Sequence, residues 1–546
     1  GGQFITMWVT VFVGVVGGLG LFLYGMKLMA EGLQKFAGNK LKGLVEAFTS
    51  NRYMAMLVGL VVTMIIQSSS ATSVMVVGFV NAGIMTLTQA VGIILGANIG
   101  TTITGQMISF DLQLVAPVAL GLGVLLTFSS KKVRTRNFSE ILVGFGLLFI
   151  GIGMLKAALS PLENVPAFRE SLIRWGQNPI QGILIGFILT VLVQSSSATI
   201  GVLIALASQG LIPFQSALYI IYGDNIGTCT TALISSIGSS RNARRVGVMH
   251  MSFNVIGTLL FVLLLGGPLT RIVTQLNPGN VSRQIANAHT IFNVVNVALQ
   301  LPFAGVLIKI SELIVPGKAE AEPTQFLTHL DSRMLRTPSI ALKNLFLECD
   351  DMAKHARESL TKALKAFETQ DKDDVLDALE FERQVNRYQK NIMEYLQELS
   401  STPLSESDRR RVDSLFNTVS DIERIGYHAE NIAELAEIYI DQNIVFDQLA
   451  QEDAEQILEK LFMGFDMAMG AFREGNLEKA HVARGIEKEI DFLEKTARRK
   501  QIKRMHGKKA SIDAGIIFLD LLSNLERISD HSKNIAESLI GVQARA

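Results

Sequence analysis

The chain has 546 residues, of which 49% are hydrophobic and only 18% charged, with a mean hydropathy of +0.33. A soluble chain carries about 25% charge, so part of this one is built for a membrane. Its 50 basic and 50 acidic side chains cancel, which excludes the basic excess of a nucleic-acid binder. Its two cysteines, Cys229 and Cys349, exclude a disulfide framework and a cysteine-based metal site.

That average hides a division. From Gly1 to about Leu313 apolar runs dominate, and from about Lys318 to Ala546 the sequence is charged and helical. The chain opens on Gly1-Gly2-Gln3 without a methionine, which reads as a trimmed or tagged start, and no cleavable signal peptide is visible. The first apolar segment, Val9–Ala30, is long enough to stay as a membrane helix. Next come 13 residues from Met54 to Ile66, then Gln67-Ser68-Ser69-Ser70-Ala71-Thr72, then 9 residues from Thr72 to Val80. Neither piece reaches the ~20 residues that a spanning helix needs, so Met54–Val80 reads as a re-entrant hairpin with the serines at its tip. A span over 87–108 follows, broken by Gly96-Ala97-Asn98-Ile99-Gly100-Thr101-Thr102, and then spans at about 112–130 and 138–155. Pro179–Ser208 repeats the hairpin around Gln194-Ser195-Ser196-Ser197-Ala198-Thr199. The segment 214–237 repeats the broken span around Gly223-Asp224-Asn225-Ile226-Gly227-Thr228-Cys229. Both motifs return at an offset of 127 residues. Two motifs at one offset mark a duplication, and internal repeats are common in secondary transporters. Spans at about 246–266 and 286–310 end the apolar half.

With hairpins returning to their own side, these seven spans place 12 Lys and Arg on one face and 5 on the other. The richer face includes Lys35, Lys40, Lys42, Lys131, Arg134 and Arg245; the poorer includes Lys156 and Arg169. The positive-inside rule makes the richer face cytoplasmic, with the N-terminus outside and the C-terminal half inside. Repeat 1 (about 9–130) and repeat 2 (about 138–266) each cross three times, an odd number, so the second copy is inverted.

A transport domain over 1–314 is thus followed by a linker over 315–339, with Pro316, Gly317, Pro323 and Pro338, and a helical domain over 340–546. In that domain Glu423-Arg424-Ile425 with Asn431-Ile432 returns as Glu526-Arg527-Ile528 with Asn534-Ile535, both at an offset of 103. Two three-helix units in an antiparallel bundle follow. The expected fold class is all-α: a polytopic membrane protein with two inverted repeats, re-entrant hairpins and broken helices, plus a soluble helical bundle.

The motifs carry the chemistry. Serine and threonine hydroxyls both donate and accept. Ser70 and Ser197 stand ahead of short apolar helices, whose free amides and positive dipole ends hold an anion without a formal charge. Gln67 and Gln194 offer a carbonyl to a cation. At the second break Asn98, Thr101 and Thr102, with the copies Asn225 and Thr228, stand beside backbone carbonyls that suit sodium once unwound. Asp224, where the first copy has Ala97, is an intramembrane carboxylate and functional by default. No Lys or Arg lies in these motifs, so an anion needs dipoles, hydroxyls and co-bound cations, which is a physical reason for sodium coupling. The anion therefore falls to Ser68, Ser69, Ser70, Thr72, Ser195, Ser196, Ser197 and Thr199. Sodium falls to Gln67, Asn98, Thr101, Thr102, Gln194, Asp224, Asn225 and Thr228. Small polar residues also serve plain helix packing, a reading that two copies at one offset make the weaker. The elements His250–Asn254 and His289–Asn293 share His-x-x-Phe-Asn and read as helix–helix hydrogen bonding, not as ligands.

The paired Gln-Ser-Ser-Ser motifs resemble the type II sodium–phosphate cotransporter family, its bacterial members included, over roughly Val9–Ile310. The resemblance implies phosphate and sodium sites at Gln67–Ser70 and Gln194–Ser197 in inverted repeats. Asp421–Ala429 and Leu525–His531 resemble the PhoU family of phosphate-signalling proteins, over about Ile340–Leu539. That resemblance implies a divalent or transition metal held by acidic i, i+4 pairs, which share one helix face. Glu487 with Asp491 and Glu526 with Asp530 keep the pattern; in the first unit Glu382 pairs with Asn386, and Tyr427 stands where the second has Asp530. The expected function is sodium-coupled transport of inorganic phosphate across the inner (plasma) membrane, modulated by a cytoplasmic domain. The expected partners are phosphate, sodium and membrane lipid, with no nucleic acid; a homo-oligomer is left open. The alternatives are a passive anion channel or exporter, and a membrane phosphate sensor. Without a nucleotide loop or a catalytic triad, no enzyme is expected.

Overall fold

The computed structural model of the chain describes residues 2–37, 51–130, 132–166, 170, 174, 177–317, 329–507 and 511–544. Lys40, Lys42, Lys131 and Arg169, used above for orientation, and Pro323 of the linker lie outside them. Every regular element among the described residues is a helix. The chain divides into two compact units, Gly1–Phe326 and Leu327–Ala546.

In the first unit, α1 (Gly2–Ala37) precedes a pair, α2 (Arg52–Ile66) and α3 (Ser69–Asn81). Then come α4 (Leu87–Gly100), α5 (Thr102–Ile108), α6 (Val115–Ser129) and α7 (Val133–Leu159). The second copy supplies α8 (Pro179–Val193), α9 (Ser196–Ser208) and α10 (Phe214–Ser235). The unit closes with α11 (Arg241–Leu260), α12 (Gly266–Leu276), α13 (Val281–Gln300) and α14 (Ala304–Ile314).

Both short pairs fold back on themselves. The hydroxyls of Thr63 and Thr72 lie 2.9 Å apart, and those of Thr190 and Thr199 3.1 Å apart. Nine residues of unbroken helix would separate them by about 13 Å. The reversal is local: Gln67 and Gln194 both take left-handed backbone with φ 58°, and the serine after each is extended and caps the next helix.

The second motif behaves otherwise, and the expectation of unwound backbone there is corrected. α10 runs unbroken through Gly223–Cys229. In the first copy only Thr101 separates α4 from α5, and it keeps helical dihedrals (φ −65°, ψ −23°). The glycines serve close packing instead. A Cβ on Gly96 would overlap the carbonyl oxygen of Met56 on α2, and one on Gly223 that of Ile183 on α8. Each hairpin's outer helix is therefore seated directly on the following span.

Five helical runs among the described residues are long and apolar enough to cross a membrane: Thr6–Ala37, Leu87–Ile108, Val133–Asn164, Arg241–Leu276 and Val281–Ile314. Two expected spans do not qualify. At 112–130 the helix has 15 residues, because a turn takes the first part. The 22-residue α10 is long enough, but Asp224, Asn225 and five Ser and Thr lower its hydropathy, and those polar residues are mostly buried. The unit is apolar outside and buries the polar residues of its repeated motifs. Ile180, Leu184, Ile188 and Leu192 form an outer stripe 47–77% exposed, while Ser69, Thr72, Asn98, Asp224 and Asn225 are buried. A soluble monomer rarely exposes apolar stripes of this kind; hydrocarbon is their fitting solvent. Phe22, Tyr222, Phe261 and Phe292 fill the core, with Phe261 and Phe292 4.8 Å apart.

The second unit has six helices: α15 (Pro338–Thr369), α16 (Lys372–Ser400), α17 (Glu406–Asp441), α18 (Gln448–Glu474), α19 (Leu477–His506) and α20 (Ile512–Ala544). They form two groups of three, joined along α17 and α20.

Replacing Gly96 or Gly223 by Ala will drive a methyl into a backbone carbonyl and cost about 1–3 kcal/mol of stability. Gly121→Ala, with open space at its Cβ position, will be neutral. Thermal unfolding of detergent-purified variants checks the contrast.

Candidate transport site

The site is built twice at the hairpin tips. Ser68 and Ser195 accept the backbone N–H of Ala71 and Ala198, at 3.1 and 3.3 Å. These first serines are N-caps, and their oxygens are in use. Ser69, Ser70, Ser196 and Ser197 occupy the first turn and are at most 9% exposed. Helix starts of this kind favour anions through free amides and the dipole. Thr72 and Thr199 point elsewhere: each donates to the carbonyl of Ser68 or Ser195 and meets Thr63 or Thr190 across the hairpin. Their hydroxyls brace the two arms of each hairpin.

Gln67 and Gln194 tie each tip to the span behind it. Their amides donate to the carbonyls of Met64 and Val191, at 2.5 and 2.6 Å. Their side-chain oxygens accept from Thr104 at 2.7 Å and Thr231 at 3.1 Å. Asn98 and Asn225 each donate to the carbonyl four residues back. The hydroxyls of Thr102 and Thr228 donate to the carbonyls three residues back, those of Ile99 and Asn225.

One contact between the two copies is a hydroxyl pair, Thr101 on the first and Ser196 on the second, 3.2 Å apart. They also differ. Thr190 donates to Oδ1 of the fully buried Asp224 at 2.6 Å, and Oδ2 has no partner among the described residues. Asp224, Thr190, Thr199 and the carbonyl of Ser195 thus stand in a row at hydrogen-bonding distance, with two hydroxyl protons to share among its three links. In the first copy Ala97 stands where Asp224 does.

Sequence reasoning missed Thr63 with Thr190 and Thr104 with Thr231. Both pairs keep the offset of 127, and aligning the two copies beyond their motifs finds them. The helix–helix hydrogen bonding expected of the first His-x-x-Phe-Asn element is present: the His250 ring reaches Asn98 at 3.3 Å and Ser73 at 3.5 Å. Asn254, one turn on, donates to Asn98 at 3.4 Å and to Cys229 Sγ at 3.1 Å.

In the second unit the acidic pairs do not gather into a metal site. No group of three or more His, Cys, Asp or Glu side chains suited to a metal occurs among the described residues. The ammonium of Lys533 lies between Glu487, at 2.9 Å, and Asp530, at 3.0 Å. Lys495 holds Asp491 at 2.7 Å. The positive charge expected from a metal is supplied by lysines. Burial, then the neighbouring Asp530, hold the Glu526 carboxyl above the usual carboxylate range. Where α17 and α20 join, His531 pairs with Asp421 and His428 with Asn524, each at 2.9 Å and each related by the offset of 103.

The sequence profile described as the Na+/Pi-cotransporter matches residues 21–157 and 163–301, and that of the PhoU domain matches 349–436 and 455–539. The "Putative inorganic phosphate export protein YjbB" of Salmonella typhimurium is 24% identical over 525 residues, covering 95% of this chain and 96% of that one. The "Uncharacterized protein YqeW" of Bacillus subtilis is 32% identical over 297 residues, 54% of this chain and 96% of its own length. The "Sodium-dependent phosphate transport protein 2A" of Rattus norvegicus is 32% identical over 132 residues, 22% of this chain and 20% of its own.

Lys533→Ala in the full-length protein will leave Glu487 and Asp530 without their shared cation and lower the unfolding midpoint of the second unit. Millimolar Mn2+ will restore it, whereas the wild type will not respond to Mn2+. Calorimetric scans with and without the metal measure both effects.

Proposed function

Because the chain belongs to the Na+/Pi-cotransporter family, we propose that it moves inorganic phosphate across the inner (plasma) membrane with sodium as the coupling ion, with its PhoU domain acting as a cytoplasmic regulator. The observation that carries this reading is the pair of buried serine-capped helix starts, α3 and α9, with no Lys or Arg among their motif residues. An oxyanion there is held by amides, dipoles and hydroxyls, and its charge is balanced by co-bound sodium. Ser69, Ser70, Ser196 and Ser197 take the phosphate oxygens. Gln67, Gln194, Asn225 and Asp224 turn oxygens toward sodium, which prefers them. The repeats are inverted in this reading, so the two tips approach the site from opposite sides and transport proceeds by alternating access.

Export is a second reading, supported by the printed name of the Salmonella relative that matches this chain almost end to end. Both readings share one site and differ in the gradient that drives it.

In proteoliposomes, an inward sodium gradient will raise radiolabelled phosphate uptake several-fold over an equal potassium gradient. Uptake indifferent to sodium would remove the coupling. Ser69→Ala and Ser196→Ala will each weaken phosphate binding about 10- to 100-fold, since a hydrogen bond to a charged group is worth about 1.5–3 kcal/mol. Wild-type affinity in either variant, by calorimetry, would break the shared-site assignment.

A chain ending after Phe326 will still carry phosphate, because every assigned ligand lies in the first compact unit. Flux through the truncated and full-length proteins, compared in the same liposomes, tests this.

A further inference from the structure

His289, in the second His-x-x-Phe-Asn element, is 1% exposed, and neither ring nitrogen has a hydrogen-bond partner among the described residues. A buried polar group without a partner costs about 1–3 kcal/mol, and native structures leave few of them. Such a ring belongs where something other than the protein completes it.

Its position says what that is. α5 of the first copy and α9 of the second run side by side from the Thr101–Ser196 contact. One turn further, Gly105 faces Ile200, and the ring of His289 lies in the same gap. A Cβ on Gly105 would be 3.3 Å from Ile200 and 3.6 Å from Nδ1 of His289. The register of α13 is held on both sides of His289, because the Gln106 amide donates to Asn287 at 3.2 Å and to Thr290 at 2.8 Å.

The first His-x-x-Phe-Asn element supplies the comparison. α11 packs on α3 of the first copy and α10 of the second; α13 packs on α9 of the second and α5 of the first. The two histidine helices thus occupy equivalent places under exchange of the copies. His250 is occupied by Ser73 and Asn98. Ser73 stands one turn after Ser69, as Ile200 stands one turn after Ser196, and 73 and 200 keep the offset of 127. Beside α9 of the second copy a histidine, His289, is again present, but an isoleucine stands where the hydroxyl would be.

We propose that His289 is a further phosphate-binding residue, a ring nitrogen of which donates a hydrogen bond to an oxygen of phosphate seated at the first turn of α9. This rests on the phosphate reading of the same site and makes the pocket asymmetric: the histidine beside α3 of the first copy is fixed by protein, and the one beside α9 of the second is completed by substrate. Gly105 and Ile200, which flank the ring, offer it no side-chain hydrogen-bonding group, and neither ring nitrogen finds one elsewhere among the described residues, which leaves the substrate as the source of the missing oxygen.

The test uses purified full-length protein in detergent with saturating sodium and inorganic phosphate as the probe. Wild type that binds no phosphate sinks the underlying reading and not merely this one. If wild type binds, His289→Leu should lose at least tenfold in affinity, while His289→Gln, which retains an N–H donor, should stay within about threefold. Equal losses in both, or wild-type affinity in the Leu variant, would overturn the proposal. Should the Leu variant not fold, wild type labelled with 15N-histidine decides. The His289 ring signals, identified by their disappearance in His289→Gln, should shift on adding phosphate; signals that stay in place would refute the contact.

Discussion

Hydrocarbon offers no partner to a polar group, so every hydroxyl, amide and carboxylate within the first unit must be answered from inside the protein. The hairpin tips show how this shapes the fold. A tip at membrane depth leaves free amides and carbonyls on both arms. Here the first serine caps one arm, the glutamine amide closes the other, and a threonine pair ties the arms together. The same bonds recur in the second copy. What remains uncommitted is a small set of hydroxyls on the first turn of each inner helix. Satisfaction of the tip thus decides which groups are left for a ligand.

Close packing is the second consequence. Polar groups can answer one another only if the backbones approach, and glycine permits this. Gly96 and Gly223 bring α4 and α10 against the outer arms of their hairpins, so that Thr104 and Thr231 can reach the glutamines. The apolar stripes left outside face hydrocarbon.

The sequence made the hairpins legible because their arms are too short to span and their tips repeat. It made the second motif misleading. A glycine that breaks a helix and a glycine that admits a neighbour are the same letter, and Gly223–Cys229 proved to be the second kind. Lone threonines such as Thr63 and Thr104 look like ordinary packing residues until the two copies are laid over each other. In the second unit the i, i+4 rule identified carboxylates that share a face but not the cation that answers them. Lys533 stands only three residues from Asp530 in sequence, yet its bond to Glu487 comes from another helix. Side-chain charge balance across helices is a tertiary property, and periodicity along one helix does not contain it.

The copies agree in backbone and differ in charge. Asp224 and Ala97 occupy one place in the duplicated plan, and so do Ile200 and Ser73. In the second copy a buried carboxylate is joined by two threonine hydroxyls to the hairpin tip. On the sodium-coupled reading this arrangement has an electrostatic consequence. Charges act strongly at low dielectric, so an ionised Asp224 opposes an oxyanion at the α9 tip until a cation lies between them. The cation in turn gains little by entering a site that lacks the carboxylate. Sodium and phosphate then favour each other's binding without touching, and the coupling resides in the half of the duplicated site that carries the acid.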